Sequence, residues 1–214
     1  MRASRFPNLY RWLRLLLAGL ILAAVLTQGW ESITAGGVKL LRYFSYFTVQ
    51  SNLLLAGLFA WKALRPTGDS AHPVLPILRA GAVLYLLITG IVYSLLLADL
   101  PEIARAVIPW TDFVMHKLAP LAALADWLLD APGRKLHPRQ AWCALAYPLT
   151  YALLSLLRGA LTGWYPYPFL KPTQPGGWLA VALTCLVITL ASLPLHALVI
   201  WLGRKFDVHK TAGV

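Results

Sequence analysis

The sequence predicts an all-α polytopic integral membrane protein. It reads as one transmembrane domain over residues 1–214, a bundle of six transmembrane helices with both termini in the cytoplasm. Three observations predict it. First, 59% of the 214 residues are hydrophobic and 13% are charged, against about 45–50% and about 25% in soluble domains. A chain of 23.6 kDa has no soluble core large enough to hide that excess, because small domains leave much of their surface in water. Second, apolar runs recur at 12–29, 43–61, 76–98, 113–129, 141–160 and 178–202. Each is close to the length of about 20 residues that crosses about 30 Å of hydrocarbon. Third, the cations fall between these runs with a one-sided bias.

The first run follows Arg2, Arg5 and Arg11, as a signal peptide would. It is long for such a segment and ends in Leu26-Thr27-Gln28-Gly29, with no small-x-small cleavage site. It therefore reads as an uncleaved span whose Arg14 snorkels to the interface. Pro66-Thr67-Gly68-Asp69-Ser70 marks the turn after span two, and Pro132-Gly133 the turn after span four. Short connections make neighbouring spans antiparallel hairpins. The connection after span five, Thr162-Gly163-Trp164-Tyr165-Pro166-Tyr167-Pro168-Phe169-Leu170, alternates aromatics with prolines. That pattern suits the headgroup level, either as an aromatic belt or as the rim or lid of a pocket.

The N-terminus, the second and fourth connections and the tail carry 13 lysines and arginines. The odd connections carry four: Lys39, Arg42, Arg105 and Lys171. The positive-inside rule puts the richer side in the cytoplasm. The net charge of +11 then reads as topology signals and contacts to lipid phosphate, with no nucleic-acid partner.

Common catalytic motifs are absent: the sequence holds no G-x-S-x-G, Walker loop, H-E-x-x-H or G-x-G-x-x-G. Cys143 and Cys185 lie at different depths without a C-x-x-C, so neither a disulfide nor a thiolate zinc site is expected. His72, His137 and His209 fall in cytoplasmic segments, while His116 and His196 lie near opposite faces of the membrane. No metal and no organic cofactor is expected.

Polar side chains inside spans are costly and mark candidate functional positions. In span two, Thr48, Ser51 and Asn52 share one helical face, a pattern that also serves to join helices by hydrogen bonds. In span four, Asp112 and His116 are i, i+4 neighbours. Asp112 either caps the helix start or holds one imidazole nitrogen and leaves the other as a base. Thr48 lies about 7 Å and His116 about 6 Å below the outer surface, at about 1.5 Å per residue. Gln28, Asp99 and Arg158 end spans on that side, and span five adds Tyr147, Thr150, Tyr151 and Ser155. Asp126 and His196 lie toward the cytoplasm and read as structural. A threonine hydroxyl becomes a nucleophile only when a base takes its proton, and a histidine is the simplest such base.

These residues carry a resemblance. Tyr46-Phe47-Thr48 early in span two, Met115-His116 early in span four, Pro120, Asp126 and the Tyr-Pro-rich segment after span five are similar to the androgen-induced family of membrane proteins. Arg158-Gly159-Ala160 through Trp164-Tyr165-Pro166-Tyr167-Pro168-Phe169 resembles its bacterial six-span branch. In animal members an intramembrane threonine and histidine hydrolyse fatty acid esters of hydroxy fatty acids. The resemblance implies that Thr48 is the nucleophile and His116 the base, in a bacterial cytoplasmic (plasma) membrane. Asp112 as a third member comes from helix spacing alone.

The expected function is hydrolysis of a lipid ester by Thr48, His116 and Asp112, with membrane lipids and an amphiphilic ester as partners. Asn52, Gln50 and Arg158 are candidate oxyanion donors, and Tyr147 and Tyr151 candidate substrate contacts. The rival expectation is a non-catalytic binder or transporter of a lipid or small amphiphile that uses the same pocket. A structural subunit whose polar residues only join helices is the third.

Overall fold

The computed structural model describes residues 7–65, 74–130, 136 and 142–211. The turn signals at Pro66–Ser70 and Pro132-Gly133 lie outside the described residues, as do Arg2, Arg5, His72, Arg134, Lys135, His137 and Arg139. The described chain is helical throughout, with no strand. Helix α1 is Pro7–Thr34, a short α2 is Leu40–Tyr43, and α3 is Phe47–Leu64. Helix α4, Leu75–Val92, runs on through a π turn at Tyr93–Leu97. Helix α5 is Pro101–Ala106. Helix α6, Pro109–Phe113, passes through a second π turn, Val114–Leu118, into α7, Ala119–Leu129. A 3-10 turn, Cys143–Leu145, opens α8, Ala146–Thr162. A further turn at Pro168–Leu170 precedes α9, Gly177–Thr211.

All six apolar runs of the sequence are helical, and four helices are long and apolar enough to cross a membrane: Asn8–Thr34, Leu75–Leu97, Cys143–Thr162 and Gly177–Lys205. The protein is thus a helical integral membrane protein. The other two runs, in α3 and α6–α7, fall short of that measure, being richer in polar and charged residues. They carry the buried polar groups: Ser51, Asn52 and Lys62 on one, Thr111 and His116 on the other.

Helix α4 forms the centre, with Leu84 and Leu86 fully enclosed. It packs on α3, α7 and α9, while α1 lies along α3. Outward faces are apolar: Leu16, Leu26 and Trp30 on α1, Leu153, Leu157 and Leu161 on α8, and Leu179, Val187 and Leu190 on α9 are all exposed. An apolar exterior of this extent fits a hydrocarbon solvent.

One end of the bundle is held by ions. Arg14 reaches Asp126 Oδ1 at 2.6 Å and Asp130 Oδ2 at 2.6 Å. Arg79 reaches Asp126 Oδ2 at 2.8 Å and donates to the Asp130 carbonyl at 2.8 Å. Lys62 reaches Asp130 Oδ2 at 2.6 Å. Arg14 is therefore buried within the bundle, contrary to the snorkelling expected from sequence: two carboxylates four residues apart on α7 draw it inward. Three cations and two carboxylates tie α1, α3 and α4 to the end of α7. His196 is also enclosed, its ring 5.6 Å from that of Trp142.

Removing one partner of a buried ion pair strands the other's charge and costs about 3–5 kcal/mol. Asp126→Ala is expected to lower stability by that amount in thermal unfolding of purified protein, and Asp99→Ala, on an exposed residue, by no more than about 0.5 kcal/mol. Acid provides a second check. Burial raises the Asp130 carboxyl pKa, but the positive charges of Lys62, Arg79 and Arg14 outweigh it and hold the group well below its usual range. A carboxylate lowered on folding contributes stability in full above its unfolded pKa, about 4, and loses it as the pH falls toward the folded value. Stability against pH is expected to show this loss only below about pH 4, and an Asp130→Asn variant to lack it.

Candidate functional site

The helix pair α6–α7 places Asp112 and His116 through a break in helical spacing. Pro120 has no N–H to return to the preceding turn, and the Ala119 N–H reaches back to Val114. The helix widens there into the π turn Val114–Leu118, a local form often found at functional sites. The Met115 carbonyl receives Asn52 Nδ2 from α3 at 3.2 Å. The same Nδ2 donates to the Thr48 carbonyl at 2.9 Å. One amide thus pins the helix bearing Thr48 to the turn bearing His116.

His116 is buried, and its Nδ1 lies 2.8 Å from Asp112 Oδ1. With the carboxylate accepting an Nδ1–H, Nε2 is left as the basic nitrogen. The face of the imidazole is covered by Tyr93, with ring centres 3.6 Å apart and planes 9° from parallel. Next to Asp112, Thr111 donates to Gln28 Oε1 at 2.8 Å, and Gln28 receives the Ile108 N–H at 3.0 Å. Gln28 therefore fixes the start of α6, so this polar residue of the first run has a positioning part. Helix α4 approaches closely at Gly90, where an added Cβ would sit 2.9 Å from the His116 carbonyl oxygen.

Thr48 sits in the first turn of α3, whose N–H groups have no helical partner. Two tyrosine hydroxyls supply them. The Phe47 N–H donates to Tyr151 at 3.2 Å, and the Thr48 N–H to Tyr167 at 3.3 Å. Tyr151 passes its own proton to the Ser45 carbonyl at 2.9 Å. Tyr167 belongs to the aromatic–proline segment, which folds back over the bundle because Gly159 lacks a side chain. A Cβ there would lie 2.0 Å from the Tyr165 ring.

A cavity of about 870 Å³, open mouth included, is lined by Thr48 and Tyr167. Tyr93, Tyr151, Phe169 and Leu170 also line it. The segment after span five is thus part of a pocket wall, one of the two roles its sequence allowed. His116 is not itself in the wall. Its covering ring, Tyr93, is, and among the described residues no hydrogen bond joins Thr48 to His116.

The remaining candidates lie around the site. Gln50 accepts from Tyr147 at 2.5 Å and donates to the Phe44 carbonyl at 3.0 Å. Arg158 donates to Ser45 Oγ at 2.7 Å, its guanidinium 4.5 Å from the centre of the Trp164 ring. Asn52 gives its amide to the two carbonyls named above. Each of the three thus makes at least one bond to the scaffold, both amide hydrogens of Asn52 being used, and none of the three lines the cavity. Tyr147 packs against Phe47, ring centres 5.4 Å apart, behind the wall. Tyr93 and Tyr167 were not singled out from sequence as site residues. Tyr167 lay within a segment that was, whereas Tyr93 follows ordinary apolar spacing and carries no signal. Neither a family model, nor a curated protein, nor a solved structure matches this chain.

Two variants test the joint between the helices. Asn52→Leu keeps the volume but leaves two carbonyls without this donor, and is expected to lower stability by about 1–3 kcal/mol. Gly90→Ala overpacks the contact with the His116 carbonyl and is expected to cost about 1–3 kcal/mol. Thermal unfolding of each against the parent protein checks both.

Proposed function

We propose that the protein hydrolyses lipid esters with Thr48 as nucleophile, His116 as general base and Asp112 as the carboxylate that orients the imidazole. The observation that carries the reading is the buried Asp112–His116 pair, Nδ1 to Oδ1 2.8 Å, tied by Asn52 to the helix turn that presents Thr48 to an apolar cavity. A carboxylate, an imidazole with a free second nitrogen, a hydroxyl and a dry cavity are the parts of acyl transfer. The resemblance to the androgen-induced family points to the same two residues and to esters of fatty acids as substrates.

In this reading Thr48 Oγ1 attacks the ester carbonyl carbon while its proton passes to His116 Nε2. The carbonyl–alkoxy bond breaks, and His116 returns the proton to the leaving alkoxide. Water then attacks the acyl–Thr48 ester, giving its proton to His116; the fatty acid leaves and Thr48 regains a proton. The first step requires the Thr48 hydroxyl to turn toward His116. Catalytic hydrogen bonds often tighten only when substrate is bound. Burial raises the Tyr167 hydroxyl pKa, so that group stays protonated. Lining the cavity with Thr48, it is the side-chain donor proposed to meet the developing oxyanion, in the part first expected of Gln50, Asn52 or Arg158. The same proposal has six spans with both termini in the cytoplasm of a bacterial membrane, the Thr48 end facing outward and the Asp126 cluster inward.

One observation favours the second reading, a binder or carrier of lipids: the Thr48–His116 hydrogen bond is not made. Kinetics on purified protein with fatty acid esters separate the two. Hydrolysis is expected to fall to background in both Thr48→Ala and His116→Ala with folding intact, and in Tyr167→Phe by about 10²–10³-fold in kcat, the usual loss for one oxyanion donor. Turnover retained in both alanine variants overturns the assignment and leaves the binder.

A further inference from the structure

The cavity continues well past the candidate site. Besides Thr48 and Tyr167 its wall takes in Leu145, Leu149 and Leu193, so it lies between α8 and α9 with α4 as its floor. Cys185 and Leu193 lie eight residues apart on α9, so the wall extends about 12 Å along that helix alone, at about 1.5 Å per residue. No charged residue lines it. Its hydroxyls include Thr48, Tyr151 and Tyr167 at the end near the candidate site. Beyond these the wall is mostly apolar, its polar side chains including Thr89, Thr189 and Ser192, the last with its hydroxyl turned back to the Ile188 carbonyl at 2.7 Å.

The opening faces sideways. Leu149 on α8 and Leu193 on α9 line the cavity, yet both are exposed, at 49% and 37%. Both helices are long and apolar enough to cross a membrane, so what lies against that opening is hydrocarbon. Phe169 and Leu170, from the segment that carries Tyr167, also line the cavity. A ligand that comes through the side must be apolar over most of its length, narrow, uncharged inside the slot, and polar at one end.

We infer that the crevice between α8 and α9 is a binding slot for a single acyl chain, which enters sideways from the bilayer and sets its uncharged polar group, an ester carbonyl, against Thr48 and Tyr167. The slot names the ligand class of the proposed hydrolase but does not need the chemical step; it holds for a binder as well. The alkyl tail lies along Ile188, Leu149 and Leu193, where burial of its methylenes is favourable against water but gains little against lipid. Preference for a ligand over bulk lipid therefore comes from the polar end.

Cys185 lines the slot and is a free thiol, and Cys143 is the other cysteine of the chain. The Cys143→Ser protein in phosphatidylcholine nanodiscs thus has one native reporter. Its rate of alkylation by N-ethylmaleimide is measured with and without ethyl oleate. The slot predicts at least fivefold slower labelling with the ester present. Ala152→Trp on α8 and Thr189→Phe on α9, each filling the slot from one wall, should remove the effect of the ester. An unchanged rate in the parent protein, or a slowing that persists in both filled variants, overturns the slot. Thr48→Ala should retain protection, at reduced ester affinity. Protection by ester in a protein without hydrolase activity keeps the slot and removes the enzyme; hydrolysis without protection does the reverse.

Discussion

The site depends on one amide group, Asn52 Nδ2, held between the carbonyls of Thr48 and Met115. In hydrocarbon a backbone carbonyl without a donor is expensive, and Pro120 creates that need by withholding an N–H from the turn that contains His116. Asn52 answers it from another helix. The proline that would merely disrupt a soluble helix here becomes the reason two distant segments meet. Once the π turn is fixed, Asp112 and Tyr93 fix the imbalance of the imidazole: one nitrogen bound to a carboxylate, one free, and one face stacked.

The two ends of the bundle solve the same problem differently. At one, charges are gathered and neutralised against one another: Arg14, Lys62 and Arg79 against Asp126 and Asp130. That arrangement is costly to break but has little room to bind anything. At the other, neutral hydroxyls and amides satisfy the start of α3, and space remains beside them. Tyr151 and Tyr167 fill the place of a capping residue for α3 while forming the cavity wall. Stability and any chemistry are therefore housed apart, which lets the cavity end carry a hydroxyl not committed to holding helices together.

Much of the framework was legible in the sequence because hydrocarbon imposes simple rules. Run length gave the helices, and the cost of intramembrane polar groups singled out Thr48, Asn52, Asp112 and His116. The i, i+4 spacing of Asp112 and His116 was enough to pair them. What spacing does not encode is which side chain a polar group meets on another helix. Gln50, Asn52 and Arg158 have donors suited to an oxyanion, yet tertiary packing spends those donors on Phe44, Met115 and Ser45. Arg14 was misread for the same reason: a lone arginine near a helix start looks like an interface anchor until two aspartates from α7 lie beside it. Tyr167 came from a segment whose proline-rich sequence indicates only a chain that is neither helix nor strand; its return over α3 depends on the packing of Tyr165 against Gly159.

The central claim is that Thr48 Oγ1 becomes covalently acylated, and direct mass analysis of the protein tests it. Purified protein is treated with an alkyl fluorophosphonate, or quenched in acid during turnover of a fatty acid ester, and its peptides are sequenced. The account predicts the phosphonyl or acyl mass on the peptide containing Thr48, at that residue, and its absence in His116→Ala. An adduct on another hydroxyl, or none while hydrolysis proceeds, would contradict it.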